Sequence, residues 1–225
     1  ATTVHMVYRH EAPEQVAKFV LLGGGLAGIW SAMTFSTAGD VERERLQGML
    51  TTLLAAPTPL AFVFAAKIVM NAMLSLLALV ITLLYSGLCL GVPLSLPHSA
   101  AFALALVAFL FGASSFALCL ANLFLLTRTA WVFQNILESP LLILGGVAFP
   151  VTLLPVWAQT LSMALPIRWG SETLYLTLIN APLAQAYWSA LQWTLLTGAL
   201  YLGLAQLLFR YIENRVRRQG NLETA

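Results

Sequence analysis

Residues 99–126 read SAAFALALVAFLFGASSFALCLANLFLL, a stretch with no charged side chain. A bilayer core about 30 Å thick needs roughly 20 apolar residues in a helix, and this stretch exceeds that length. Its apolar positions run on without alternation, which disfavours a transmembrane β-strand. Four more stretches of comparable character accompany it: residues 19–39, 60–90, 130–149 and 187–209. The composition agrees, with 60% of the 225 residues hydrophobic and only 9% charged. Soluble domains carry about 25% charged residues, so no water-soluble fold could cover its surface with so few. Because the runs recur along the whole chain, a signal peptide or single anchor does not account for them. The expected fold class is all-α integral membrane, with about five transmembrane helices in a single domain over residues 1–225.

Several chemistries are excluded at this level. Cys89 and Cys119 lie inside apolar runs, which argues against a disulfide framework and against a zinc site. His5, His10 and His98 have no cysteine or carboxylate spaced with them as a ligand set. A P-loop needs a lysine in a G-x-x-x-x-G-K-[ST] context, and the only lysines, Lys18 and Lys67, have none. The chain is therefore expected to hydrolyse no ATP itself, and no cofactor, metal or nucleic-acid partner is expected.

Orientation follows from the placement of Lys and Arg. One set of loops and span ends holds Arg43, Arg45, Lys67, Arg128, Arg210, Arg215, Arg217 and Arg218. The opposite set holds Arg9, Lys18 and Arg168. The positive-inside rule puts the first set, and with it the tail over residues 210–225, in the cytoplasm. Arg215, Arg217 and Arg218 suit an anionic inner leaflet, at about 1 kcal/mol per charge. Five spans then leave the N-terminus outside, and we expect a further helix upstream of Ala1. Trp157, Trp169 and Trp188 fall where an outer aromatic belt belongs, and Trp131 where an inner one does.

The connection after the first span is amphipathic. Over residues 44–56, Leu46, Met49, Leu50, Leu53 and Leu54 share one helical face, while Glu44, Arg45, Gln47, Gly48, Thr51 and Thr52 fall elsewhere. Pro57 and Pro59 stop any helix there. The pattern predicts a short helix on the cytoplasmic membrane surface, either an interfacial connector or a contact for a partner.

Residues 42–57, ERERLQGMLTTLLAAP, resemble the segment after the second helix of ABC-2-type transporter permeases. The family pattern is E-R-E-x-G-T-x-E, then a Leu pair and a Pro. Glu44, Arg45, Gly48, Leu53, Leu54 and Pro57 match in register, and Leu46, Met49 and Thr51 replace Glu, Thr and Glu. A second patch is similar to the end of that family's fifth helix and its outer hairpin: Gly145-Gly146-Val147-Ala148-Phe149-Pro150, then Leu153-Leu154-Pro155-Val156-Trp157 and Ala164-Leu165-Pro166. Glu172 stands where the family often has Glu, and Leu165 where it has Asn. The resemblance implies a six-helix fold whose first helix precedes this chain. It implies a coupling segment over residues 40–59 and an outer re-entrant segment over residues 150–182. It also implies two partners, a separate ABC ATP-binding subunit and a second permease copy, in a bacterial cytoplasmic membrane. The cargo classes it implies are drugs, lipids, glycans or ions. Glu44, Arg45, Gln47, Gly48, Thr51 and Thr52 would face the ATP-binding subunit.

The fourth span carries Gln134, Asn135 and Glu138, followed by Ser139 and Pro140. An ionisable group at that depth faces protein or water. These residues are candidates for a polar substrate path between two half-units, or for hydrogen-bonded links to a neighbouring helix. A secondary transporter or channel, with Glu138 as a polar or proton-carrying site, is the alternative function. Gly24 and Gly28 form a small-xxx-small pair expected to pack within the monomer, as do Gly112 to Ser115.

Overall fold

The computed structural model describes residues 13–48, 60–89, 98–126, 130–147, 151–178 and 185–219. Among these residues there are seven α-helices, one 3-10 turn and no strand. We label the helices α1 (Pro13–Leu46), α2 (Leu60–Cys89), α3 (Ser99–Leu126), α4 (Ala130–Leu144), α5 (Val156–Ser162), α6 (Pro166–Thr177) and α7 (Gln185–Gln219); the 3-10 turn Val151–Leu153 precedes α5. Among the described residues, three stretches are long and apolar enough to cross a membrane: Phe62–Ile81, Ser99–Leu125 and Gln185–Ile212. The first expected span lies inside α1, where glycine, serine and threonine lower the hydropathy.

α3 is the hub. It packs against α7 and α6 on one side and against α1 and α2 on the other. Its small residues allow this, because backbones approach closely only where side chains are short. A Cβ on Gly112 would lie 3.1 Å from Pro166 Cβ, and one on Gly170 would lie 2.9 Å from the Phe109 ring. Farther along, Trp30 of α1, Phe116 of α3 and Tyr201 of α7 pack as an aromatic series, with centroid separations of 5.7 and 4.9 Å. The Tyr187 hydroxyl donates to the Ala101 carbonyl at 2.9 Å and ties the start of α7 to the start of α3. The outer faces of α2 and α7, with Met73, Leu77, Val80, Leu196 and Leu207, are exposed, as lipid-facing helix surfaces are.

Expected boundaries change in three helices; α7 runs on to Gln219 rather than ending at residue 209, and two changes bear on the site. The first span was expected to end at residue 39 and a separate amphipathic helix to begin at 44. Instead α1 is one helix of 34 residues. Its buried stripe of Leu22, Leu26, Ile29, Met33, Thr37, Val41 and Glu44 keeps helical period straight through that point, and no proline intervenes. The helix stops where Gly48 takes φ 68°, the left-handed conformation that glycine adopts past helix ends. The remainder of the expected helix, from Met49 onward, lies outside the described residues. The second change concerns α4, expected to span residues 130–149. It is 15 residues long and stops at Gly145 and Gly146, the latter at φ 65°.

The described residues of the segment expected to be re-entrant, 151–178, hold a helical hairpin, α5 and α6, joined through Met163 to Leu165. Leu165 is extended and Pro166 occupies the first turn of α6, where its missing N–H costs nothing. Pro166 lies beside Gly112, at mid-length of α3.

Close packing at Gly112 yields a stability prediction. Gly112→Leu must push Pro166 and Thr194 apart and is expected to cost about 1–3 kcal/mol. Gly203→Leu, where a Cβ meets nothing within 4 Å, is expected to be neutral. Thermal unfolding of the purified protein in detergent checks this. Equal melting temperatures for the two variants would contradict the packing described.

Candidate functional site

Polar side chains that a bilayer would penalise are concentrated along one seam of α1. Thr34 is buried and donates to the Trp30 and Ser31 carbonyls at 3.0 and 3.3 Å. Its oxygen accepts from Gln134 Nε2 of α4 at 2.8 Å. One turn toward the N-terminus of α1, the Ser31 hydroxyl donates to Glu138 Oε1. Gln134 and Glu138 are four residues apart, so both face α1 from the same side of α4. Asn135, 100° further round that helix, is exposed. The three residues expected to form one polar lining therefore divide: two are bonded to α1 and the third looks outward.

The same helix bonds to α2 on another face. Asn71 Nδ2 donates to Ser36 Oγ. At the last turn of α1, Glu44 is 6% exposed and accepts from Lys67 Nζ of α2. Its second oxygen has no hydrogen-bond partner among the described residues. Lys67 also lies 6.0 Å from the Phe64 ring centroid, and Phe64 stacks on Phe209 of α7 at 5.7 Å. The carboxylate of Glu44 is thus turned into the protein. The adjoining turn, Gln47 and Gly48, is exposed, with the Gln47 N–H bonded to the Arg43 carbonyl at 3.0 Å. The side chain of Arg45, and Thr51 and Thr52, lie outside the described residues.

At the other end of the molecule, the C-terminus of α4 is held by the hairpin. Ser171 donates to the Gly145 carbonyl at 2.7 Å and Tyr175 to the Val147 carbonyl at 2.6 Å. Gly23 of α1 fits against the same point, since a Cβ there would lie 2.6 Å from Val147 O. Arg168 donates to the Gln159 carbonyl at 3.2 Å and to Ser162 Oγ at 3.1 Å. Its guanidinium sits 4.6 Å from the centre of the Trp169 ring, and Trp169 stacks on Trp193.

Sequence reading missed Ser31, Thr34, Ser36 and Asn71. Their signal was a run of hydroxyl and amide residues within apolar stretches, informative only once partners across the helix pair are known. It also missed the pairing of Glu44 with Lys67, although opposite charges flanking one short connection were a usable cue. Gly24 and Gly28 are corrected. They are exposed, and a Cβ on either meets nothing within 4 Å among the described residues. Gly23 and Gly25 pack inside the monomer instead, Gly25 against Leu79 of α2, because the buried stripe of α1 lies on their side of the helix. Gly112 packs inward as expected.

The family model for the ABC-2 type transporter matches residues 3–179. No curated protein matches the chain.

The ion pair sets a test that separates charge from packing. Lys67→Met leaves the buried Glu44 carboxylate uncompensated and is expected to destabilise by on the order of 2 kcal/mol. That is less than the roughly 3–5 kcal/mol for a fully buried pair, since the Lys67 side chain is 34% exposed. Glu44→Gln combined with Lys67→Met should recover most of the loss, read as the yield and melting temperature of monodisperse protein. A double variant no better than Lys67→Met would remove the carboxylate as the cause.

Proposed function

Because the chain belongs to the ABC-2 type transporter family, we propose that it is the permease of an ATP-driven exporter, energised by a separate ATP-binding subunit. It is a multi-pass membrane protein, and its family is a transport rather than a catalytic one. The observation that carries the reading is the unbroken course of α1, which links an exposed turn at Gln47 and Gly48 to the polar seam at Ser31 and Thr34. Leu46 and Thr34 are roughly 18 Å apart along the helix at 1.5 Å per residue. A push on the turn would reach the seam with α4 without crossing a hinge. The asymmetry of Lys and Arg supports a cytoplasmic position for that turn.

Within this reading the docking surface is narrower than residues 44–52. Glu44 faces Lys67, so Gln47 and Gly48 are the described residues on offer to the partner. The seam presents hydroxyls, one amide and one carboxylate, which supports an amphipathic cargo over a polyanionic one. We also propose that a second copy packs on the outward small face of α1, formed by Gly24, Gly28 and Ala32, all exposed. Such faces let two helices approach closely in lipid.

Docking is tested at Gln47. A tryptophan at Gly48 would mix a steric block with backbone strain, because φ there is positive. Gln47→Trp avoids that. Co-expressed with its ATP-binding subunit, this variant is expected to reach the membrane at normal levels and to lose the subunit on purification. Normal co-purification together with normal transport would leave the turn as a connector only.

The second copy is tested by cross-linking. In a background with Cys89 and Cys119 replaced by serine, Gly28→Cys is expected to form a disulfide-linked dimer in native membranes under mild oxidation. A cysteine at Ile29, which is 1% exposed, should form none. Equal yields at both positions would argue against this face.

A further inference from the structure

A groove opens between α1 and α2 one turn below the seam. It holds about 740 Å³ and is walled by Phe35, Gly39, Ala66 and Met70. The polar side chains along it are Ser36, Asp40 and Arg43 from α1 and Lys67 and Asn71 from α2. A Cβ on Gly39 meets nothing within 4 Å among the described residues, which leaves space over that glycine. Beyond Met70, the exposed side chains of Met73, Leu74 and Leu77 continue along α2 as an apolar track.

The charges decide what fits. Arg43 and Lys67 are cationic and Asp40 is anionic, while Glu44 neutralises Lys67 from behind. The groove therefore presents both signs with no net excess. A simple anion would gain from the cations but would be repelled by Asp40 and Glu44. A group that carries a phosphate and an ammonium a few ångströms apart satisfies both signs. Its hydrocarbon portion has the track beyond Met70 to lie on. We propose that this groove binds a zwitterionic phospholipid. Its phosphate sits toward Arg43 and Lys67, its ammonium toward Asp40, and an acyl chain runs along α2. Assigning it to the cytoplasmic leaflet rests on the charge-based orientation; the binding itself does not.

The test needs no ATP and no partner subunit, so its outcome is independent of the exporter reading. The purified, delipidated permease is offered equal amounts of phosphatidylethanolamine, phosphatidylglycerol and phosphatidylcholine, and retained lipid is counted by native mass spectrometry. Phosphatidylethanolamine is expected to be retained over phosphatidylglycerol by about fivefold, the factor that one interfacial charge contributes. Asp40→Asn is expected to abolish that preference. Gly39→Phe fills the open space and is expected to remove the preferred lipid without loss of folded protein. Ala66→Phe fills the groove from the other wall should the first variant fold poorly. Equal retention of the two lipids by the wild type, as from a non-selective lipid shell or a groove covered by a second copy, would overturn the proposal. So would undiminished retention in both filled variants.

Discussion

A helix that stops inside a bilayer leaves backbone carbonyls that neither water nor lipid can satisfy. α4 ends after 15 residues, fewer than the roughly 20 that cross a bilayer core, and the hydroxyls of Ser171 and Tyr175 meet the Gly145 and Val147 carbonyls just past its end. Much of the remaining architecture follows. To bring those hydroxyls to the end of α4, α6 must lie deep against α3. That depth requires Gly112 beside Pro166 and Gly170 beside Phe109, where a side chain would clash. It also requires a tight reversal before α6, which extended Leu165 and Pro166 provide. Arg168, in the first turn of α6, is accommodated by a carbonyl, a hydroxyl and an indole face.

α1 is the second organising element, and its faces divide cleanly. One face is buried stripe, one bonds α4, one bonds α2, and the face of Gly24, Gly28 and Ala32 is left outward. The division follows from the 100° step per residue. Gly23 and Gly25 fall on packed faces and Gly24 does not, though all three are adjacent glycines.

The all-helical membrane class was legible at once, since no other fold accommodates so little charge. Among the described residues three of the five expected spans coincide with helices long and apolar enough to cross a membrane, a fourth with a shorter apolar helix, and the family signature was readable from two short patches. Lengths of individual elements were not. Hydropathy marks where a chain turns polar, whereas α1 continues past residue 39 because its buried stripe keeps period through Val41 and Glu44. α4 stops short of residue 149 although the chain there remains apolar, because Gly146 takes a left-handed turn that α6 stabilises. The candidate site was half legible. Gln134 and Glu138 face α1, but their partners Ser31 and Thr34 have side chains that are ordinary in any membrane helix. Only the juxtaposition of two helices distinguishes them.

The links along α1 differ in kind, and that difference bears on how such a permease would move. Toward α4 there are two hydrogen bonds, Gln134 to Thr34 and Ser31 to Glu138; interhelical bonds within membranes average about 0.6 kcal/mol each. Toward α2 there is an ion pair reinforced by an amide–hydroxyl bond. Separating Lys67 from the buried carboxylate of Glu44 leaves a charge uncompensated and costs more than breaking a hydrogen bond donated by a hydroxyl or an amide. In the proposed cycle α1 and α2 would therefore move as one body, and the seam with α4 would be the one that yields.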